Sequence, residues 1–157
     1  MKLREVAEVI KGTRLLEDDR GKKIKKHKVL SMLALESISF LDKRKIIEIK
    51  SNQKVSAKQI TQAGDVVVSL YSPMIACYVE KGQEGYVIPH YMAIVRVKPY
   101  VKLDSRFIVH FINSARGRRG LAKTSENLSN INPTSLPIVM LNEVELVSET
   151  DNLVERF

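Results

Sequence analysis

Apolar residues are most concentrated between Gly64 and Val97, where short runs of β-forming side chains alternate with turn residues. Val66 to Val68 are consecutive valines, typical of a strand covered on both faces. Near Val97 the apolar positions recur at every second residue, so two strand faces are expected: Ala93, Val95 and Val97 on one, Met92, Ile94 and Arg96 on the other. This stretch predicts the middle of a twisted, mostly antiparallel sheet.

Turn residues divide the same stretch into strands. Gly64-Asp65 predicts a turn that opens the valine strand, and Met74–Val79 is a second apolar run. Loop chemistry at 82–85 predicts a reversal into Tyr86–Ile88, which would form a hairpin with that second run.

The N-terminal half has weaker patterns. Apolar spacing in Lys2–Gly12 predicts a short helical turn that passes into a strand near Ala7–Ile10. Thr13–Lys28 is polar and charged, which indicates a mobile loop or hairpin tip around Gly21. The remaining expectations are a strand near 29–34, an open assignment for 35–40, a short strand at Lys45–Lys50 and a helical turn within Ser56–Thr61.

The C-terminal half contains the clearest helix, at about 104–119. Asp104 or Ser105 can cap its first turn, and apolar residues follow at three- and four-residue spacing: Phe107, Ile108, Phe111, Ile112 and Ala115. Ile138–Leu141 predicts a short buried strand, and residues 142–157 predict a short C-terminal helix that pairs or docks with a partner. The fold class is therefore α+β, with a twisted, mostly antiparallel sheet or partial barrel, one long packed helix, and a single domain over residues 1–141.

The excess of positive charge narrows the range of expected binding partners. Lys and Arg number 26 against 18 Asp and Glu, a net charge of +8, which favours an anionic partner and nucleic acid first. The cations fall into two groups, which we expect on a common side of the scaffold. The first is Arg20, Lys22, Lys23, Lys25, Lys26 and Lys28; the second is Arg116, Arg118, Arg119 and Lys123.

Motifs for catalysis, cofactors and metals are missing from the sequence. The one cysteine, Cys77, excludes an internal disulfide and a Cys-rich zinc site, and three separated histidines do not suggest another metal site. Neither a P-loop nor a dinucleotide-binding glycine motif occurs. The opening residues do not form a signal peptide, and no apolar run is long enough to span a membrane. We therefore expect a cytoplasmic, non-enzymatic protein without cofactor or metal.

Three segments, in this order, give the chain a family resemblance. They are KLREVAEVIKG at the start, QAGDVVVSLYSPMIACYV in the centre, and RFIVHFINSARGRRGLAKTSENLSNINPTSLPIVML. With Gly64-Asp65, Phe107–Ser114 and 130–137 in the family's places, the chain resembles a target recognition domain of a type I restriction-modification specificity subunit. It departs from the pattern at Ser72-Pro73, where relatives often have glycine, and it reaches only about sixteen residues into the place of the family's long helix.

The resemblance implies sequence-specific recognition of double-stranded DNA, with catalysis supplied by partner methyltransferase and restriction subunits. A half-subunit, a trimmed chain and a stand-alone relative all fit it, and a homodimer or second half-subunit would restore a bipartite site. Phosphates would be held by Lys22, Lys23, Lys25, Lys26, Lys28, Arg116, Arg118, Arg119 and Lys123. Candidates for base contacts are Ser69, Tyr71, Ser72, His90, Tyr91, Asn127 and Asn130.

Three other functions stay open at the level of sequence. A protein–protein adaptor would carry its lysines for solubility and make its contacts through 142–157. An RNA-binding domain would need exposed aromatic residues for stacking on single strands. An enzyme would have to act through Cys77, with His90 as the base that activates it.

Overall fold

The computed structural model describes residues 1–18, 20–21, 23–35, 39–128 and 130–146. These residues form four helices: α1 Leu3–Val6, α2 Ser105–Asn113, α3 Ala115–Glu126 and α4 Leu136–Glu143. They also form seven strands: β1 Ala7–Lys11, β2 Lys25–Leu30, β3 Ser39–Phe40, β4 Ile46–Ser51, β5 Val66–Ser69, β6 Ala76–Tyr78 and β7 Met92–Val97. Short 3₁₀ turns lie at Met32–Leu35, Lys43–Lys45 and Ala57–Gln59.

Five strands form a central mixed sheet in the order β1-β7-β5-β6-β3. Its pairs are antiparallel except β3 with β6, which is parallel. The three valines of β5 have no accessible surface, because strands flank them on both sides and a core covers each face. β2 and β4 form a separate antiparallel ribbon, and the described strands do not close into a barrel.

The two faces of the central sheet are covered by different layers. Val66, Val68, Ala93 and Val95 belong to a core that is completed by residues of all four helices. Val67, Met92 and Ile94 belong to a second core on the opposite face, which includes Leu30 at the end of β2. The alternation predicted for Met92–Val97 is therefore confirmed, and the sheet separates a helix layer from a ribbon layer.

The predicted hairpin between the second apolar run and Tyr86–Ile88 is wrong. The chain does turn at 82–85, but Val87 then bonds elsewhere: its N–H donates to the Lys28 carbonyl at 2.8 Å, and its carbonyl accepts from the Leu30 N–H at 3.1 Å. Another bridge joins Val87 to Ile60. Turn residues show where a chain reverses and leave open which strand it meets afterwards.

The single helix predicted at about 104–119 is wrong in its continuity, because it breaks at Ser114. Ser114 has extended backbone (ψ 159°), its hydroxyl donates to the Phe111 carbonyl at 2.7 Å, and it accepts from the Gly117 N–H at 3.0 Å. A Cβ on Gly117 would lie 1.7 Å from the Phe111 carbonyl oxygen, so the corner requires glycine there. Apolar spacing does not reveal the break, because Ala115 continues the stripe of the preceding helix.

The strand predicted at Ile138–Leu141 is also wrong. These residues lie in α4, with Pro137 in the first turn, where its missing N–H costs no helical hydrogen bond. A run of four apolar residues fits a buried strand or a buried helix equally well. Of the C-terminal helix predicted from 142, the first two residues end α4, Val144 is extended, and 147–157 lie outside the described residues. The domain division at residue 141 stays a prediction.

Candidate nucleic-acid interface

The start of β5 is held by a buried ion pair. Asp65, in the Gly64-Asp65 turn, accepts two hydrogen bonds from the Arg96 guanidinium, at 2.9 and 2.8 Å, and one from the Gln62 N–H. The Asp65 side chain is 3% exposed, and the hydrogen bonds raise the pKa of Arg96. This pair fixes β5 against β7, so the loops at the far ends of these strands are held in a defined position.

At that far end three predicted site residues come together. The Leu70 N–H donates to the Tyr91 carbonyl at 3.0 Å, which places the loop after β5 beside the turn before β7. The Tyr71 ring stacks on the Tyr91 ring with centroids 6.5 Å apart, and the His90 ring meets Tyr91 edge-on at 5.2 Å. Tyr71 is 62% exposed, and partial burial raises the pKa of Tyr91. We call Tyr71, His90 and Tyr91 the aromatic rim.

The two predicted serines beside the rim have different environments. Ser69 is fully buried; its hydroxyl donates to the Pro73 carbonyl and accepts from the Ile75 N–H, so its hydrogen bonds shape the loop. Ser72 is exposed and lines a cavity of about 310 Å³ together with Pro73 and Arg118. Ser72 is therefore accessible to a ligand, and Ser69 is not.

The lysine group lies on a strand and not on the expected loop. Lys25, Lys26 and Lys28 are exposed residues of β2, and Lys23 is exposed just before it; Lys22 lies outside the described residues. Pairing of β2 with β4 explains the difference, because two strands can satisfy each other's backbone bonds even where their side chains are polar.

The register of the ribbon reveals a further cation that sequence reasoning missed. Lys50 of β4 lies directly opposite Lys26 and is exposed. The sequence signal was present, because 45–50 was predicted as a strand, but the partner strand and register were not. Leu30 at the end of β2 pairs with Ile46 at the start of β4, and the fifteen residues between them, 31–45, are too many for a tight turn that would fix the register in advance.

The arginine group divides between two sides of α3. Arg116, Lys123 and Asn127 line a cavity of about 640 Å³ whose wall also carries Glu143 and Glu145. Arg118 lines the separate cavity beside Ser72, and Arg119 is exposed. Asn130 is exposed with a positive φ of 67°, a conformation that asparagine tolerates in turns.

The two basic groups are consequently anchored on opposite faces of the central sheet. α3 packs through Leu121 on the helix-layer core, and β2 packs through Leu30 on the other core. This differs from the expected common side. The structure brings the aromatic rim together and places Ser72 near Arg118, but it does not join lysines and arginines into one surface.

Cys77 offers little support for an enzyme. It is fully buried, its thiol donates weakly to the Leu35 carbonyl at 3.8 Å, and burial raises its pKa to about 12. Only the thiolate is an effective nucleophile. Among the described residues there is also no group of three His, Cys, Asp or Glu that could hold a metal, and no helix suited to crossing a bilayer.

Comparisons with known proteins add little. No protein-family model matches the sequence, and no curated protein matches it. Among solved structures, an HsdS subunit from Thermoanaerobacter tengcongensis aligns with 90% of this chain at a TM-score of 0.39 and 9% identity. The alignment spans 42% of that subunit, so this chain corresponds to less than half of its length. A TM-score at this level does not establish a shared fold.

Proposed function

We propose that the chain recognises double-stranded DNA by sequence, as a specificity subunit, or half of one, in a type I restriction-modification system. Partner methyltransferase and restriction subunits would supply the catalysis. The observation that carries the proposal is the β2–β4 ribbon, whose exposed lysines stand on a regular element on the outside of the ribbon layer. The order of the three family-like segments along the sequence supports the restriction-modification context.

Each accessible group has a role that suits a duplex. Lysine ammonium groups neutralise phosphates and release the counterions that surround DNA. The rim adds phenol and imidazole groups that can donate to and accept from base edges, because Tyr71 is exposed and His90 partly so. Asn127 and Asn130 carry side-chain amides of the kind that pairs with adenine. A buried Ser69 is left out of this assignment.

The proposal is tested by selecting bound duplexes from a random pool, with and without a methyltransferase subunit, and by measuring affinity against salt. An enriched short motif is the expected result. If about six phosphates are neutralised, log affinity falls against log salt with a slope of roughly −5. Binding to no duplex, or binding that ignores salt, would contradict the proposal.

A protein–protein adaptor is the second candidate, and exposed apolar side chains favour it. Leu33, Phe40 and Ile47 are each about half exposed, as contact residues of an adaptor would be. If this function is the true one, replacing Lys25, Lys26 and Lys28 by Glu leaves partner binding unchanged. Under the DNA proposal the same replacement abolishes duplex binding.

A further inference from the structure

A cavity of about 640 Å³, which we call the α3 cavity, lies between α3, α4 and the N-terminal segment. One face of α3 lines it with Arg116, Gly120 and Lys123, which recur at helical spacing. The apolar part of the wall comes from Phe111, Leu128 and Val139. Small-molecule sites in proteins occupy roughly 300 to 1,000 Å³ and combine an apolar lining with a few polar groups. The α3 cavity has that size and that kind of lining.

The two cations of the α3 cavity lack an acidic partner. Within the part of the chain that the structure describes, neither Arg116 nor Lys123 forms an ion pair, because the glutamates of the cavity wall are engaged elsewhere. Glu143 lies 2.7 Å from the Lys2 ammonium, and Glu145 lies 2.7 Å from the N-terminal ammonium. Arg116 also stands in the first turn of α3, where the helix dipole disfavours a cation. The glutamates therefore weaken the positive field of the cavity without neutralising it.

Gly120 lies between the two cations on the same face of α3. It follows Arg116 by four residues and precedes Lys123 by three, so the three positions are neighbours on the helix surface. Glycine inside a helix lowers its stability relative to alanine, yet neither backbone nor packing requires glycine here. Its φ is not positive, and a Cβ would make ordinary contacts of 3.6 Å with Val144 and 3.8 Å with Phe111. The effect of this glycine is to keep the space between the cations free of a side chain.

We propose that the α3 cavity binds a small amphipathic anion, with a carboxylate or phosphate group over Gly120 and an apolar chain against the apolar part of the wall. Two helical turns place Arg116 and Lys123 about 10 Å apart along the helix axis, so both long side chains reach a group that lies midway. A guanidinium gives such a group two parallel hydrogen bonds, and an ammonium adds a compact charge. This site goes beyond the proposed recognition of DNA and does not depend on it.

Calorimetric titration of the chain with octanoate, octyl phosphate, octylammonium and inorganic phosphate, all kept below micelle formation, tests the ligand class. The chain should bind octanoate or octyl phosphate, and the tighter of these identifies the preferred head group. Octylammonium has the wrong charge and inorganic phosphate has no apolar chain, so each should bind roughly tenfold more weakly or worse. Equal affinity for either of them overturns the proposal, as does failure to bind both octanoate and octyl phosphate.

Variants locate the binding in the α3 cavity. Arg116→Gln/Lys123→Gln should weaken binding of the preferred probe roughly tenfold or more, because two charge-assisted contacts are lost. The control Arg14→Gln/Lys102→Gln removes the same charges from exposed residues outside the cavity and should leave the affinity unchanged. Gly120→Leu keeps both cations but fills the space between them, so it should abolish binding. Unchanged affinity in either cavity variant overturns the assignment.

Gly120→Ala guards against loss of the fold in the leucine variant. Its methyl group makes only ordinary contacts, so denaturant unfolding should show a chain at least as stable as the wild type. The same methyl group occupies the place of the head group, and binding of the preferred probe should weaken measurably. A stable Gly120→Ala chain with full affinity for the probe would show that the ligand does not lie over this glycine.

Discussion

α3 and the β2–β4 ribbon are both rich in cations, but the surroundings of those cations differ. Along α3, Arg116 and Lys123 share a cavity wall with two glutamates, and Arg118 lies against the loop at Ser72. On the ribbon, Lys26 has another lysine directly across from it. The positive charge of α3 is partly compensated by acidic residues of the protein, whereas on the ribbon two lysines face each other and repel.

This difference teaches that the number of cations in a segment is a poor guide to a binding surface. The environment of each charge is the better guide: a cation beside a carboxylate is compensated within the protein, whereas a cation directly opposite another cation is not. The Asp65–Arg96 pair shows the first case, with opposite charges, short hydrogen bonds and burial. Lys26 and Lys50 show the second.

The largest expected effect comes from breaking the satisfied pair. Asp65→Ala leaves the partly buried Arg96 guanidinium without its carboxylate and should lower the free energy of unfolding by about 3 kcal/mol. This value is at the lower end of the range for broken buried ion pairs, because the Arg96 side chain is 20% exposed to solvent. Denaturant unfolding measures the loss. Glu48→Ala is the matched control, an acid removed from an exposed pair, and a loss of equal size there would contradict the comparison.

The corner between α2 and α3 gives the next effect. Gly117→Ala drives a methyl group into the Phe111 carbonyl and should cost about 2 to 3 kcal/mol of unfolding free energy. Gly120→Ala is the control in the same helix, because its Cβ would lie 3.6 Å from the Val144 side chain, an ordinary contact. That variant gains up to about 1 kcal/mol from helix propensity. Equal effects at both sites would mean that the corner is not tight.

A smaller loss is expected where α2 is tied to the sheet. The Asn113 amide donates to the Ala76 carbonyl and accepts from the Ala76 N–H, both at 2.9 Å. Asn113→Ala removes both bonds and should cost about 1.5 kcal/mol, since two backbone groups lose their partner. Asn127→Ala, at the exposed asparagine that directly follows α3, should change stability by less than about 0.5 kcal/mol. If the two variants unfold with the same free energy, the Asn113–Ala76 hydrogen bonds do not contribute to stability as proposed.

The sequence predicts the parts of this fold that depend on local pattern. Three consecutive valines identified the doubly covered strand, and alternation at Met92–Val97 assigned each residue to its face. Asp104 or Ser105 was predicted to cap the clearest helix, and the cap is Asp104, whose side chain accepts from the Arg106 N–H. In each case a few adjacent residues contain the whole physical cause. Pattern therefore suffices for elements and faces.

What the sequence did not predict depends on contacts between distant segments. Val87 pairs with Val29 and Ile60, and Lys50 pairs with Lys26. Neither segment of a pair has a sequence pattern that identifies its partner. The corner at Ser114 depends on a glycine three residues further on, beneath a carbonyl of the preceding helix. The separation of the two basic groups follows from which face of the sheet each element covers, and composition carries no such information.

The smallest expected effect tests the conflict on the ribbon directly. Lys50→Gln removes one of two facing cations and should raise the free energy of unfolding by about 0.5 kcal/mol, whereas Glu48→Gln removes the compensating acid and should lower it by a similar amount. Because both effects are electrostatic between exposed groups, they shrink as salt screens the charges. Denaturant unfolding at low and high salt measures them. If Lys50→Gln is more stable and also binds DNA less well, the Lys26–Lys50 pair lowers stability in order to bind its ligand. If Lys50→Gln is instead less stable, the two lysines do not repel each other measurably.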